Sequence, residues 1–366
     1  MDPRLEKLAK VLIHYSLKLK KGHWLLVIGE PVALPLIKAV CMEAIDAGGH
    51  PVVKMKIPDL EEYLLKHGEK DQLTWLPPTI MVEFKNIDAY VGIWGGENTR
   101  YLSGVKPDRQ ATARAAGKKV MQVFYQRAAT KDLRWCGTQF PTLSSAQDAG
   151  MSLTEYEDFV FGAGHLLKSD PVKHWQKVYK EQQRLVRVLN RVDQIHILSN
   201  DTDLKLRVKG RKWINCAGEN NFPDGEIFTG PIETSAEGKI RYTYPAVYMG
   251  QEVEDVRLEF KKGKVVGASA ARNEKFLTSM LEMDKGARYL GELAIGTNYD
   301  IKRFTKNTLF DEKIGGTCHL AVGNAFSETG SKNRSSLHWD MVCDLKNGGE
   351  IMADGKTIYR NGKFTI

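Results

Sequence analysis

The sequence predicts an α/β protein in which a doubly wound N-terminal domain precedes a β-rich α+β C-terminal domain. In the first half, apolar runs of strand length alternate with segments of helical periodicity, a pattern typical of parallel sheets. From Gln194 onward, short alternating runs separated by Gly and Asn turns dominate. Because 366 residues fit two domains of about 100–200 residues, we assign 1–192 to the first and 193–366 to the second.

The chain is expected to begin with a strand–helix–strand unit that follows one helix. Leu5 to Tyr15 has apolar residues at helical spacing, and the glycine-bounded run Trp24–Gly29 reads as a buried strand. Pro31–Ala47 is expected to be a helix that closes at a Gly-Gly pair, and Pro51–Met55 is the second strand.

The same alternation continues through the rest of the first domain. We expect a helix at Glu61–Lys66, a strand at Ala89–Trp94, a helix at Arg109–Lys118 and a further strand at Val120–Tyr125. A polar amphipathic helix, Pro171–Asn190, is expected to end the domain.

The second half is expected to be mostly strands. The alternating runs lie at Ile195–Leu198, Leu204–Val208, Val256–Phe260 and Val265–Ala268, and one helix is expected at Glu274–Leu290.

Composition argues against several classes of partner. The 53 Lys and Arg exceed the 45 Asp and Glu, which gives a net charge of +8, but the basic residues are dispersed as doublets among acids. No RNA-recognition or zinc-finger signature accompanies them, so we expect no nucleic-acid partner. No uncharged run approaches the roughly 18 residues that a membrane span needs, so no membrane association is expected.

The cysteines and the N-terminus favour a reducing compartment. The five cysteines form no Cys-x-x-Cys pair, and an odd number suits a disulfide framework poorly. The segment from Met1 to Lys7 lacks the apolar core of a signal peptide. We therefore expect a cytoplasmic protein.

Common cofactor and nucleophile motifs are missing. Gly29-Glu30-Pro31-Val32, after the first strand, has an acid and a proline where a phosphate-binding loop needs glycines. Gly162-Ala163-Gly164-His165 lacks the third glycine and is expected to link two helices. The sequence has no phosphate loop, no nucleophile elbow and no His-Glu-x-x-His helix, so a dinucleotide, a nucleotide or a serine mechanism is not favoured.

Candidate metal ligands lie at turn-rich positions of the second half. His338 and Asp340 are two residues apart, so on a strand both side chains project from one face, where they suit a divalent metal. His319 follows a Gly-Gly turn, Glu226 follows Asp224-Gly225, and Glu292 precedes an apolar run. Each of these taken alone fits an ordinary core histidine or a solvated turn acid equally well.

Together, these segments resemble a known family. They are Glu226-Ile227-Phe228-Thr229, Gly291-Glu292-Leu293, His319-Leu320-Ala321-Val322-Gly323 and His338-Trp339-Asp340. Their order and spacing over residues 218–344 resemble those of the aminopeptidase T, aminopeptidase S and PepS family of dinuclear metallopeptidases. The strand and helix layout of the first half is also similar, so the resemblance extends over the whole chain.

The resemblance implies a metal-dependent aminopeptidase that hydrolyses N-terminal residues from peptides through a two-metal-activated water. Two divalent ions, zinc, cobalt, manganese or magnesium, would be held by Glu226, Glu292, His319, His338 and Asp340, with Glu292 bridging. Glu312 would be either a further ligand or a general base. The family also implies a homodimer and peptide substrates with a free N-terminus.

One position departs from the family pattern. Family members carry a tyrosine seven residues after the histidine that matches His319, where it can donate to the oxyanion, and this chain has Phe326 there. The departure keeps one alternative open, a catalytically altered or inactive member acting as a metal-binding scaffold. A metallohydrolase of non-peptide amides is a second alternative, because a metal site fixes the chemistry better than the substrate.

Substrate contacts are less defined. Trp213, Phe228 and Trp339 are candidates for a hydrophobic pocket, although core packing is the ordinary role of such residues. The acids Asp224, Glu233 and Glu328 are candidates for pairing with the substrate amine.

Overall fold

A computed structural model of the chain describes residues 2–366 and divides them into two compact units. The first comprises residues 2–173 and 218–223, and the second comprises 174–217 and 224–366. A parallel sheet in the first unit and antiparallel sheets in the second confirm the mixed α/β class. The domain boundary between residues 192 and 193 stays a prediction.

The elements of the first unit alternate along the chain, and α1 continues into a π-helical turn at Val11–Ser16. They are α1 (Pro3–Lys10), β1 (Trp24–Gly29), α2 (Leu34–Asp46), β2 (His50–Met55), α3 (Pro58–His67), α4 (Lys70–Thr74), α5 (Pro78–Asn86), β3 (Ala89–Trp94), α6 (Pro107–Ala116), α7 (Lys118–Thr130), β4 (Arg134–Gln139), α8 (Leu143–Asp148) and α9 (Leu153–Ala163).

The second unit is mostly strands, and β8 is the one element named below that belongs to the first unit. The elements are α10 (Pro171–Leu189), β5 (Gln194–Ser199), β6 (Thr202–Arg207), β7 (Ile214–Cys216), β8 (Asn221–Phe222), β9 (Glu226–Thr229), β10 (Glu237–Arg241), β11 (Ala246–Tyr248), β12 (Gln251–Val253), β13 (Arg257–Lys261), β14 (Lys264–Ser269), α11 (Glu274–Leu281), β15 (Leu290–Gly296), α12 (Thr308–Asp311), β16 (Thr317–Gly323), β17 (His338–Asp344), β18 (Glu350–Ala353), β19 (Lys356–Arg360) and β20 (Lys363–Phe364).

The sheet of the first unit has the order β2-β1-β3-β4-β8, and every neighbouring pair is parallel. The order 2-1-3-4 is common among doubly wound sheets. The sequence placed β1 and β3 at the residues where they occur, because each is an uninterrupted apolar run between turn residues.

One expected strand of this unit is wrong. Residues 120–125 belong to the helix α7, where Val120 and Phe124 lie one helical turn apart and pack against Leu26 and Phe84. A short apolar run fits a strand or a buried helix face equally well, and here the helix interpretation holds. The next strand is β4, at Arg134–Gln139. Gly162-Ala163-Gly164-His165 does link two helices, α9 and α10.

Two larger antiparallel sheets form the second unit. The outer sheet is eight-stranded, in the order β14-β13-β10-β6-β5-β18-β19-β20, and the site sheet is five-stranded, in the order β17-β16-β15-β9-β7. Both contribute to one apolar core, which includes Ile197, Leu258, Leu320 and Met341. The expected helix at 274–290 is too long, because α11 ends at Leu281 and Asp284 then accepts a hydrogen bond from Gly286 N in a turn.

Every helix among residues 2–366 is too short or too polar to cross a membrane.

Candidate metal centre

The predicted ligands lie on one face of the site sheet. His338 and Asp340 lie two residues apart on β17, so both side chains project from the same face of the strand. Asp340 pairs with Ala321 of β16, and Ala321 pairs with Glu292 of β15. His319 lies two residues before Ala321 on β16. Cross-strand neighbours share a face, so three adjacent strands deliver four candidate ligands to one place.

The fifth candidate ligand comes from β9, and small residues separate the candidate ligands. Glu226 pairs with Gly296, and Ala294, two residues earlier on β15, pairs with His319. Ala294, Gly296 and Ala321 thus occupy the face between the ionisable residues. Gly296 is tightly packed, because a Cβ there would lie 2.2 Å from the Ile314 carbonyl oxygen.

Glu292 lies between the two histidines. Its Oε2 is 3.4 Å from His338 Nε2, and its Oε1 is 3.8 Å from His319 Nε2. Asp340 also contacts His338, with Oδ2 3.3 Å from His338 Nε2. Glu226 also contacts His319, with Oε2 3.4 Å from His319 Nε2. Each oxygen of Glu292 therefore faces a different histidine.

The donor atoms form overlapping groups that suit a cation. Glu226, Glu292 and His319 offer atoms within 4.8 Å of one another, and so do Glu292, His338 and Asp340. Glu312, His319 and Asp340 form a further such group. Carboxylate oxygen with imidazole nitrogen is the donor set of zinc, cobalt, manganese and magnesium sites.

His338 is oriented by a main-chain contact. Its Nδ1–H donates to the Asn324 carbonyl oxygen over 2.8 Å, a tautomer that follows because a carbonyl only accepts. Asn324 O comes so close to Gly291 that a Cβ there would lie 2.2 Å from it, so only glycine fits. The contact turns Nε2 toward Glu292 and Asp340, as is usual for metal-binding histidines.

Buried carboxylate oxygens without a hydrogen bond support a metal at this place. Glu226 Oε2 and Asp340 Oδ1 are buried and have no hydrogen bond within residues 2–366. A buried carboxylate oxygen without a hydrogen bond costs about 1–3 kcal/mol, a cost that a coordinated cation would offset. The residues present therefore fit divalent ions.

The pKa shifts of the site residues in the absence of metal show how strongly the site favours a cation. Burial lowers the pKa of His338, but Asp340 and Glu292 outweigh it and raise that pKa to about 12. Burial also lowers the pKa of His319, yet Glu292, Glu226 and Asp340 raise it to about 9. Burial raises the pKa of Glu226 to about 8. Without metal, protons on the imidazoles therefore supply part of the positive charge.

Lys313 is a site residue that the sequence analysis missed. Its side chain is 0% exposed, and Nζ lies 3.1 Å from Glu226 Oε1 and donates to Glu312. Asn298 N donates to the Lys313 carbonyl over 3.0 Å, which fixes the main chain there. Nothing in the sequence separates this lysine from the dispersed surface lysines. Burial lowers its pKa, but Glu226 and Glu312 hold it well above its ordinary value.

Gln182 was also missed, and it holds the strand that carries Glu226. Its Nε2 donates to the carbonyl oxygens of Glu226 and Cys216, over 3.0 and 2.9 Å. Thr297 Oγ1 donates to Gln182 Oε1 over 2.7 Å. The only sequence signal is a polar residue at a buried position of the amphipathic helix α10.

Phe326 lies beside the site. Its ring centroid is 5.0 Å from the His338 ring and 5.4 Å from the Phe228 ring, and the residue is 41% exposed. Trp213 and Trp339 do not line a pocket, because both are buried in the core of the second unit. The residues that precede them differ, from Lys212 before Trp213 to Ile227 before Phe228, and do not separate the buried rings from the one beside the site.

The acids considered for the substrate amine have different surroundings. Glu233 is paired with Arg211 over 2.6 Å and accepts from Lys332 N. Asp224 is buried and accepts from Gly225 N over 3.0 Å. Glu328 is exposed in the loop that follows Phe326.

A small cleft adjoins the candidate ligands beside Asp340. Its lining residues toward the site are Glu312 and Asp340, and its apolar walls come from Pro245, Val247, Phe304 and Val342. The arrangement therefore combines a cation-binding centre with an adjacent groove.

Known proteins are similar to this chain over nearly its whole length. The model of the thermophilic metalloprotease family (M29) matches residues 1–364. Aminopeptidase PepS of Streptococcus thermophilus is 28% identical, with 99% of this chain and 98% of that protein aligned. Aminopeptidase T of Thermus aquaticus is 25% identical over 99% of this chain and 98% of its own length.

A solved structure shows the same fold. The wild-type AmpT structure from Thermus thermophilus superposes with a TM-score of 0.87 at 23% sequence identity, covering 99% of each chain.

Proposed function

Because the chain belongs to the thermophilic metalloprotease family M29, and is therefore a metal-dependent peptidase, we propose that it removes N-terminal residues from peptides with two divalent ions. The proposal takes the cleavage position from the relatives, which are named aminopeptidases. It takes the metal number from the geometry of this chain. Two donor groups share Glu292, whose two oxygens face different histidines. That sharing is the observation that carries the proposal.

The proposed ligands divide between two positions. Glu226, Glu292 and His319 would hold one ion, and Glu292, His338 and Asp340 would hold the other. Divalent ions in such a donor set polarise a carbonyl and lower the pKa of water. Zinc, cobalt, manganese and magnesium all suit these ligands.

Glu312 is proposed as the general base. Its carboxylate belongs to the group with His319 and Asp340, so it reaches the edge of the site. Burial raises its pKa above the ordinary value, which is the direction that suits a general base. Glu312 would accept a proton from the attacking water and return it to the leaving amine, while the hydrogen bond from Lys313 holds the carboxylate in place.

Metal reconstitution tests this function. The purified protein is stripped with a chelator and resupplied with zinc, cobalt, manganese or magnesium, while bound metal and leucine p-nitroanilide hydrolysis are both measured. We expect activity to rise until about two ions are bound per chain. Saturation of activity at one ion would refute the two-metal proposal, and metal uptake without turnover would refute the peptidase activity.

Phe326 favours a second candidate function. A phenylalanine 5.0 Å from the His338 ring has no donor for an oxyanion, which suits an altered or inactive member or a hydrolase of other amides. Replacing Phe326→Tyr is expected to raise kcat on leucine p-nitroanilide about tenfold or more if an oxyanion donor is missing. Assays of acyl amides beside aminoacyl anilides separate the two substrate classes, and turnover of acyl amides alone would favour the second candidate.

A homodimer is proposed through the first unit. β2 is the edge strand of the parallel sheet, and its residues Val52, Val53 and Met55 are exposed. An exposed apolar edge strand favours pairing with another strand, and a second copy would supply an identical one. Light scattering after gel filtration should give twice the chain mass, and Val53→Lys should shift the protein to monomer. A monomeric wild type would exclude this dimer.

A reducing, cytoplasmic location is also proposed, because five cysteines, an odd number with no Cys-x-x-Cys pair, suit a disulfide framework poorly. Thiol titration of freshly isolated protein should find five free thiols.

A further inference from the structure

We propose that the buried ammonium group of Lys313 makes the two ion positions unequal, so that the protein holds one divalent ion tightly and the other weakly. The inference rests on the two-ion part of the proposed function. It deepens that function because it assigns to Lys313 control over how closely the activity follows the free metal concentration.

The two positions are named after their histidines. The His319 position consists of Glu226, Glu292 and His319, and the His338 position consists of Glu292, His338 and Asp340. Glu292 belongs to both positions, so any difference between them depends on the remaining groups and on the charges that contact those groups.

Lys313 already contacts one acid of the His319 position. Its Nζ lies 3.1 Å from Glu226 Oε1, whereas Glu226 Oε2 faces His319 and has no hydrogen bond within residues 2–366. An ion at the His319 position would therefore share the charge of one carboxylate with an ammonium group. The second partner of that ammonium group is Glu312, which also borders the site.

The ammonium group has no room to withdraw when an ion binds. The main chain next to it packs on β15, because a Cβ at Gly296 would lie 2.2 Å from the Ile314 carbonyl oxygen. Asn298 N also donates to the Lys313 carbonyl oxygen over 3.0 Å. The Lys313 side chain is 0% exposed, so water does not reach the ammonium group to screen its charge.

The His338 position has no such cation. Among residues 2–366, the ion pairs of Asp340 and of Glu292 are formed with histidines alone. The His338 position therefore combines two acids whose charge no lysine or arginine shares. The His319 position combines Glu292 with an acid that Lys313 has partly neutralised.

The difference in affinity is expected to be large. Repulsion between two cations that share a buried carboxylate is several times stronger than the same repulsion in water. We expect the dissociation constant at the His319 position to exceed that at the His338 position by about 100-fold or more. Between these two concentrations of free metal, each chain would carry one ion, and activity that needs both ions would follow the weaker binding step.

The experiment measures bound metal rather than turnover. Zinc bound per chain is determined over a series of chelator-buffered free zinc concentrations for wild type, Lys313→Met and Lys313→Gln. Methionine removes the charge, and glutamine removes the charge but keeps a donor for Glu312. We expect two separate binding steps in wild type. In both variants the weaker step should tighten by about 30-fold or more, and the tighter step should change by less than about fivefold.

Two histidine variants assign the steps and keep the inference testable if the Lys313 variants do not fold without metal. With Lys313 in place, His319→Ala should lose the weak step and keep the tight one, and His338→Ala should lose the tight step. Loss of the tight step in His319→Ala would overturn the inference.

The matched control is Lys239→Met, which removes an exposed lysine charge on β10 and should leave both steps unchanged. Equal affinities for the two ions in wild type would overturn the inference, and so would a weak step that both Lys313 variants leave unchanged. Uptake of a single ion by wild type and by both Lys313 variants would overturn the two-ion proposal as well. Two unequal steps without peptide hydrolysis would refute the peptidase activity and support the role of Lys313.

Discussion

The outer sheet and the site sheet of the second unit use similar residues in opposite surroundings. Along β6, buried and exposed residues alternate, and the same holds for β13. Along β9, β15 and β16 every residue is buried, including Glu226, Glu292 and His319. Water balances the exposed charges on the outer sheet, whereas Glu226, Glu292 and His319 are buried beside one another, and Lys313 pairs with Glu226.

Histidine–aspartate pairs on the two sheets give the largest contrast. His196 Nε2 lies 2.7 Å from Asp203 Oδ1 on the outer sheet, and His338 Nε2 lies 3.3 Å from Asp340 Oδ2 on the site sheet. The double variant His338→Ala/Asp340→Ala is expected to lose at least about 1000-fold in kcat/KM, or about 4 kcal/mol, because it removes two candidate ligands. Leucine p-nitroanilide assays at saturating metal measure the loss.

The control is His196→Ala/Asp203→Ala. Exposed ion pairs contribute about 1 kcal/mol or less, so this variant should keep wild-type activity and nearly wild-type stability. Equal losses in the two double variants would show that the site sheet has no special role.

Two lysines give the next contrast, Lys313 in the turn before β16 of the site sheet and Lys239 on β10 of the outer sheet. Lys313→Met leaves the buried carboxylates of Glu226 and Glu312 without their cation, and loss of one partner from a buried ion pair costs about 3–5 kcal/mol. Metal-free Lys313→Met should therefore unfold at a clearly lower urea concentration than wild type, and added metal should recover part of the difference.

Lys239→Met makes the same change at an exposed position of β10 and should alter stability by less than about 0.5 kcal/mol. If the two lysine variants unfolded together, the positive charge of Lys313 would be irrelevant to the site.

Replacement of Asp311 gives the smallest expected effect on stability. Burial raises its pKa to about 7, so the folded chain holds a proton that the unfolded chain releases near pH 4. Its stabilising contribution is complete below the unfolded pKa and is lost as pH rises through about 7. The free energy of unfolding of Asp311→Asn, taken relative to that of wild type, should therefore rise by about 2 kcal/mol when the pH is raised from 5 to 8.5.

Urea unfolding of the metal-free proteins at both pH values measures this difference. An Asn oxygen can still accept from Thr305 N and Thr305 Oγ1, which Asp311 Oδ1 does over 2.7 and 3.0 Å. A difference that is constant with pH would mean that Asp311 is ionised throughout.

The sequence predicted the strands of the outer sheet better than the strands of the site sheet. The alternation of β5, β6, β13 and β14 identified strands of the outer sheet, because one face of each meets water. The strands of the site sheet have no such alternation, so only the His338–Asp340 spacing indicated an extended segment. Burial on both faces removes the pattern on which strand prediction depends.

The candidate ligands were found through motif order, and their supports were not. Lys313 and Gln182 both contact Glu226, and these contacts depend on the pairing of β9 with β15 and on the packing of α10. Such contacts between residues far apart in the chain leave no local signature. The ligand roles themselves stay predictions until a metal is measured.

The order of the outer sheet has a consequence for how the polypeptide folds. β5 pairs with β18, so Leu198 meets Glu350 and Ile195 meets Ala353. Contacts between residues so far apart in sequence form slowly, because a long loop must close first. β17 and its two candidate ligands are also synthesised late. One edge of β5 stays unpaired on a nascent chain until residue 353 emerges, and an unpaired strand edge favours aggregation.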